Sequence, residues 1–223
     1  MALIPTQRPG EFIIPELGRA IQLTEWEEMD IYDTMALPAA TALAGNTLTY
    51  YTGVENRRAV DTNLKTSSKM PARHELIVMK PSVFVLPMWG TAIVELADQL
   101  AFYSEGTYEL NKNSKPQVSR THMWRLQSGY GFVAYGLNVA APGAPVAPSS
   151  LGVASPAAIP PLLIPFVIQP EDDFDVRIVF EASRAGVVNN AGAAAPVFAT
   201  RTTAAAMAIK VFLHGFVKSP GSK

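Results

Sequence analysis

The chain has 223 residues, 48% hydrophobic and 17% charged, with a formal net charge of −1 and no cysteine. That length suffices for one sizeable core, the missing cysteines exclude disulfides, thiol nucleophiles and cysteine-ligated zinc, and a near-neutral chain without a basic run lacks the electrostatic footprint of a nucleic-acid binder. A charged fraction below the usual ~25% points to surface buried against partners, because charge-poor apolar faces are what subunit interfaces are made of.

Residues 1–20 read as an extended arm, since Pro5, Pro9 and Pro15 are spaced too closely for a helix or a central strand. Met1 to Gly10 carries two prolines and no continuous apolar run, so no signal peptide is expected there. Ile21 to Tyr32 is ambiguous: Thr24 with Glu27 resembles a helix capping box, while Trp26, Met29 and Tyr32 suit an irregular edge. Asn46 to Thr52 is β-branched and aromatic and predicts a strand. Asp61 to Pro71 is a polar loop, followed by the strongest strand signal, Arg73 to Leu86. There Leu76 and Val78 share one face and Ile77 and Met79 the other, as in a strand buried on both sides, and Pro81 marks a break or a bulge.

Thr91 to Ala101 predicts the one helix, with Ile93, Leu96, Ala97 and Leu100 on a common face and Thr91 as its cap. Phe102 to Leu110 and Val118 to Leu126 predict strands, and the turn chemistry of Asn111 to Pro116 makes them a hairpin. Gly131 to Leu137 predicts another strand. Ala140 to Pro161 is low in complexity and rich in proline, and reads as a long surface loop. Leu162 to Gln169, Asp175 to Ala182 and Ala206 to Val217 predict the last strands. In the second of these Val176, Ile178 and Phe180 point inward; in the third Ile209, Val211 and Leu213 share one face, with Lys210, Phe212 and His214 on the other. Gly186 to Thr203 between them is a further loop. No stretch reaches the ~18 uninterrupted apolar residues of a membrane span. The expected fold is all-β, an antiparallel β-sandwich with long loops and one short helix, its core holding Leu76, Val78, Val176, Ile178, Phe180, Ile209, Val211 and Leu213. Strands separated by long excursions suit a Greek-key sandwich or a jelly roll better than an up-and-down barrel.

Chemistry is sparse. His74, His122 and His214 all fall on predicted strands, and three imidazoles can hold zinc, but no HxH pair occurs and a polar face or interface is the plainer role. Glu171, Asp172 and Asp173 with Asp175 form the densest carboxylate group. They lack a calcium-loop spacing, and after Pro170 they read as a solvated turn. Glu25, Glu27, Glu28 and Asp30 flank Trp26; paired carboxylates beside an aromatic are used in glycoside chemistry, but Trp26, Trp89 and Trp124 are far apart, and Trp26 reads as a core or interface anchor. Gly129, Tyr130 and Gly131 are a lone G-x-G, and Arg57 with Arg58 lie in a polar loop, where contact with a phosphate or a neighbour's carboxylate is weighed against the plainer reading of a solvated loop. No nucleophile-elbow, Walker or dinucleotide-binding motif occurs. The residues therefore name no catalytic, cofactor-binding or metal site, and no enzyme.

Asp61-Thr62-Asn63-Leu64 through Met70-Pro71, running into the strand to Leu86, resembles the entry to an early strand in the jelly-roll major capsid proteins of tailless icosahedral bacterial and archaeal viruses. The ending Ile209 to Pro220 (IKVFLHGFVKSP) and the cysteine-free, Ala/Pro/Thr-rich composition are also similar; together these patterns cover about a third of the chain. The resemblance implies a single jelly roll over residues 21–223 behind an arm at 1–20. It also implies self-assembly with other copies into trimeric or hexameric capsomers, contact with other virion proteins, a place in the virion after synthesis in host cytoplasm, and no catalytic residues. Two further classes are a β-sandwich module binding carbohydrate or a receptor, as in a viral spike, and a cupin-like metalloenzyme.

Overall fold

The computed structural model describes residues 4–22, 24–43, 45–86, 88–89, 92–93, 96–113, 115–126, 132–136, 147–151, 162, 165–170, 172–180 and 206–218. Its elements are β1 (Ile4–Pro5), β2 (Glu11–Ile14), β3 (Arg19–Gln22), β4 (Trp26–Leu37), β5 (Thr47–Tyr50), β6 (Glu75–Val85), β7 (Met88–Trp89), β8 (Ala92–Ile93), α1 (Leu96–Glu105), β9 (Gly106–Lys112), β10 (Lys115–His122), β11 (Phe132–Gly136), β12 (Ala147–Leu151), β13 (Phe166–Ile168), β14 (Phe174–Phe180) and β15 (Met207–Lys218). Two antiparallel four-stranded sheets dominate, one in the order β13-β6-β15-β4 and the other β10-β9-β14-β5. One continuous apolar core joins them.

The period-2 pattern of the sequence builds that core. Val176, Ile178 and Phe180 of β14 are buried, as are Ile209, Val211 and Leu213 of β15 and Leu76 and Val78 of β6. Lys210, Phe212 and His214 alternate with them on the opposite face of β15. All eight residues expected inside are inside. Phe180 packs 5.4 Å from the Phe102 ring, so Phe180→Ala is expected to cost about 3 to 4 kcal/mol; a denaturant titration with an unchanged midpoint would contradict that burial.

β6 is covered on both faces. Leu76 and Val78 join the main core, whereas Ile77 belongs to a second cluster with Ile14, Ile21 and Trp26. That second cluster explains residues 1–20, expected as an extended arm. From Ile4 onward they form β1, β2 and β3, a three-stranded antiparallel meander. Its buried Ile14 and Ile21 close over the outer face of β6, and Arg19 pairs with Glu75 through both guanidinium nitrogens.

Pro81 breaks nothing. Leu86 N–H bonds Ala208 O on β15, while Val85 N–H turns the other way, to the Tyr103 hydroxyl. By alternation Pro81 lies on the same side as Val85, where β13 pairs only Leu76 to Val78, so its missing donor is not needed. The irregularity falls two residues earlier: His214 faces Lys80 and Gly215 faces Val78, leaving Met79 unmatched as a bulge.

Several local expectations are corrected. Thr24 and Glu27 cap no helix, because Trp26 to Leu37 pairs with β15 along its whole length. The helix starts at Leu96, not Thr91. Ile93 instead pairs with Met88 in a two-stranded ribbon. Phe102 and Tyr103, expected to open a strand, close the helix and are buried. The Tyr103 hydroxyl donates to Val83 O (3.1 Å) and accepts from Val85 N–H (3.3 Å), filling the edge of β6 that β13 leaves open. Met123 to Leu126, expected at the end of a strand, form a 3-10 turn. Within Ala140 to Pro161, Ala147–Leu151 is a strand paired with β11; the rest of that loop lies outside the described residues, as does Gly186 to Thr203. The hairpin across Asn111 to Pro116 is present as β9 and β10.

Candidate functional site: the outer face of β4, β15 and β6

The strand register sets rows of side chains across this face. Asp30, His214 and Lys80 are opposite one another, as are Tyr32, Phe212 and Ser82, and Thr34, Lys210 and Phe84. Across the first two rows runs a relay. His214 Nδ1 lies 2.7 Å from Asp30 Oδ1, and His214 Nε2 lies 2.7 Å from Ser82 Oγ. A carboxylate only accepts, so Nδ1 carries a proton; in the neutral ring Nε2 is then an acceptor, and Ser82 donates to it. Nitrogen-15 NMR is expected to find the proton of the neutral His214 ring on Nδ1, and an Nε2–H tautomer would mean that Asp30 does not hold the ring.

Serine, histidine and aspartate in this order form the acyl-transfer constellation, so its other requirements matter. Ser82 has no exposed surface. Its backbone N–H points to β15, by the alternation that Leu86 defines, and is engaged in the ladder opposite Phe212. A reacting carbonyl therefore has no open path to Oγ, and the Ser82 N–H is already taken. The relay cross-links three strands instead.

Aromatic rings surround it. Phe212 stacks on His214 at 5.6 Å between centroids with a 10° interplanar angle, and Tyr32 lies 6.1 Å from Phe212. Lys210 Nζ sits 4.8 Å above the Tyr32 ring and donates to Val60 O (2.8 Å). The loop after β5 thus lies along this face and caps the edge of β4. There Asn63 imitates a strand: its N–H bonds Tyr32 O, its Oδ1 accepts from Tyr32 N–H, and its Nδ2 donates to Asp30 O. An occupied edge resists pairing with another chain.

The same loop is anchored by a buried ion pair. Arg57 Nη1 lies 2.8 Å from Asp33 Oδ1, and Asp33 also accepts from the N–H groups of Thr34 (3.0 Å) and Tyr51 (2.7 Å). Burial pushes the Asp33 carboxyl above its ordinary value, opposed by the Tyr51 N–H, the Arg57 charge and hydrogen bond, and the Thr34 N–H. Sequence reading placed Arg57 in a solvated loop and did not single out Asp33. The available signal was its phase, an acid at an inward position between Ile31 and Leu37. Nothing in the sequence marked Ser82.

The three histidines do not converge. His74 accompanies Ala72 O in the approach to β6, His122 ends β10 beside Ser104 O, and His214 stands in the relay. Among the described residues no group of three His, Asp or Glu side chains is arranged for a metal. Trp26 is buried beneath Arg19, whose guanidinium lies 5.2 Å from the ring centre, and Glu25 pairs with Lys218 at 2.7 Å. Glu27, Glu28 and Asp30 are exposed on β4. The lone G-x-G at 129–131 lies outside the described residues.

The acidic turn before β14 is stitched to the β9–β10 hairpin. Asp172 binds Lys112 Nζ (2.6 Å) and Gln169 N–H (2.8 Å), and Asn113 bonds both Asp172 and the Asp173 N–H. Burial pushes the Asp172 carboxyl up, but the hydrogen bonds from Lys112, Gln169 and Asn113 and the Lys112 charge outweigh it and hold it below the usual carboxylate range. Its contribution to stability is present above that range and is lost as pH falls. Beside the turn is a groove of about 260 Å³ lined by residues including Asn111, Asp173, Asp175 and Arg177.

The chain matches no family model, and neither a curated protein nor a solved structure shows a significant likeness to it.

Proposed function

We propose that this chain is a jelly-roll coat protein without enzymatic activity, whose copies assemble into an icosahedral viral shell. The observation that carries the reading is the strand pairing. Taking the eight strands of the two large sheets in chain order, β4, β5, β6, β9, β10, β13, β14 and β15, the first pairs with the eighth, the second with the seventh, the third with the sixth and the fourth with the fifth. This nested pairing supports reading the body as one long hairpin rolled on itself, the double Greek key of a jelly roll. Folds host many functions, and here the surface favours assembly. The chain is charge-poor, and Ile4, Ile13, Met29 and Val60 are 37–60% exposed. The buried Ser82 argues against acyl transfer at the relay. The partners are other copies, in trimeric or hexameric capsomers, and the protein's place is the virion.

Light scattering and particle imaging of the purified chain test this. Closed particles or discrete capsomers are expected. A chain that stays monomeric at high concentration and in every salt tried would overturn the reading. It would leave the carbohydrate- or receptor-binding module, which the polar groove beside Asp175 and Arg177 favours.

A further inference from the structure

The β1–β3 meander is a separable unit. Its backbone hydrogen bonds are internal, and it pairs with neither large sheet. Among the described residues it is held to the body by side chains: Ile14 and Ile21 against Trp26 and Ile77, with Met79, Val167 and Phe216 around them, and Arg19 on Glu75. The connection to β4 is one tight turn, in which Glu25 N–H bonds Gln22 O. Its far face is apolar as well. Ile4, Ile13 and Ala20 are aligned across the three strands, and Ile4 and Ile13 are 50% and 37% exposed. An exposed apolar row of this kind is a surface another copy could cover.

Resting on the assembly reading, we propose that the meander is exchanged between copies: residues 4–22 of one chain occupy the Trp26–Ile77–Phe216 surface of a second, through a hinge at Thr24 and Glu25. The side-chain contacts and the hydrogen bonds within the meander re-form in the exchanged pair, only the Glu25–Gln22 turn bond is given up, and concentration in the assembly favours the exchange.

The absence of cysteine makes the test clean. The variant R19C/E75C is assembled and treated with a short bis-maleimide, and then run on a denaturing gel; circular dichroism confirms the fold. Exchange predicts a shift of the cross-linked chain from the monomer band to dimers and longer ladders in the assembled fraction. Mixing nitrogen-15-labelled and unlabelled subunits before assembly is expected to give cross-linked peptides of mixed label by mass spectrometry. Cross-links confined to single chains in well-formed particles would overturn the exchange and leave the coat reading intact. Sedimentation of the unmodified chain tests the coat reading separately. If that chain stays monomeric, single-chain cross-links at high concentration would overturn the exchange as well.

Discussion

Replacing Gly215 by alanine is expected to destabilise the chain by about 5 kcal/mol, or to prevent folding, which places it among the exceptional substitutions. A Cβ at this position would stand 1.8 Å from the carbonyl oxygen of Ile77 and 3.2 Å from Val78 Cα. These neighbours are backbone atoms of the bulged strand β6, held between β13 and β15, so no rotamer change relieves the overlap. Relief needs the bulge at Met79 to move, and with it the ladder from Leu76 to Val85. Far-ultraviolet circular dichroism and a denaturant titration of the variant decide this, and a midpoint within the error of the parent would refute the bulge geometry. Gly106 is a milder case, since the 2.7 Å contact there is with the flexible Met123 side chain, although Phe102 O is only 2.9 Å away.

Asp33→Ala is expected to cost about 4 to 5 kcal/mol at neutral pH, because it leaves the half-buried Arg57 charge and the Tyr51 and Thr34 N–H groups without their acceptor. The pH dependence of this site has a definite sign. Burial raises the folded-state carboxyl pKa above the unfolded one, so the contribution tied to Asp33 ionisation is complete below the ordinary carboxylate range and declines as pH rises through the raised value, opposite to Asp172. Urea titrations of parent and variant across that range measure both effects. A loss below about 1 kcal/mol would show that the pair does not anchor the loop. Hydrogen exchange adds a local readout: faster exchange at Tyr32 and Tyr51 is expected in the variant, since Asn63 and Arg57 hold the loop that protects them.

What the sequence determined by itself was the class of fold and the identity of the inner face. Strict alternation in β14 and β15 left one way to bury Val176, Ile178, Phe180, Ile209, Val211 and Leu213, because a strand's side chains alternate whatever its neighbours are. The two-sided apolar pattern of β6 announced cover on both faces without saying what supplied it. Tertiary structure decided the rest. The segment around Thr24 became strand because twelve residues of ladder with β15 outweigh a local capping preference, and the helix moved to Leu96–Glu105, where Tyr103 could satisfy the open edge of β6. Asp33 with Arg57, and Asp30 with His214 and Ser82, were illegible as partners because they lie 24 to 184 residues apart in sequence and meet only through strand register and loop return. Proximity of that kind is a property of the folded topology, and a single chain of residue types carries no direct signal of it.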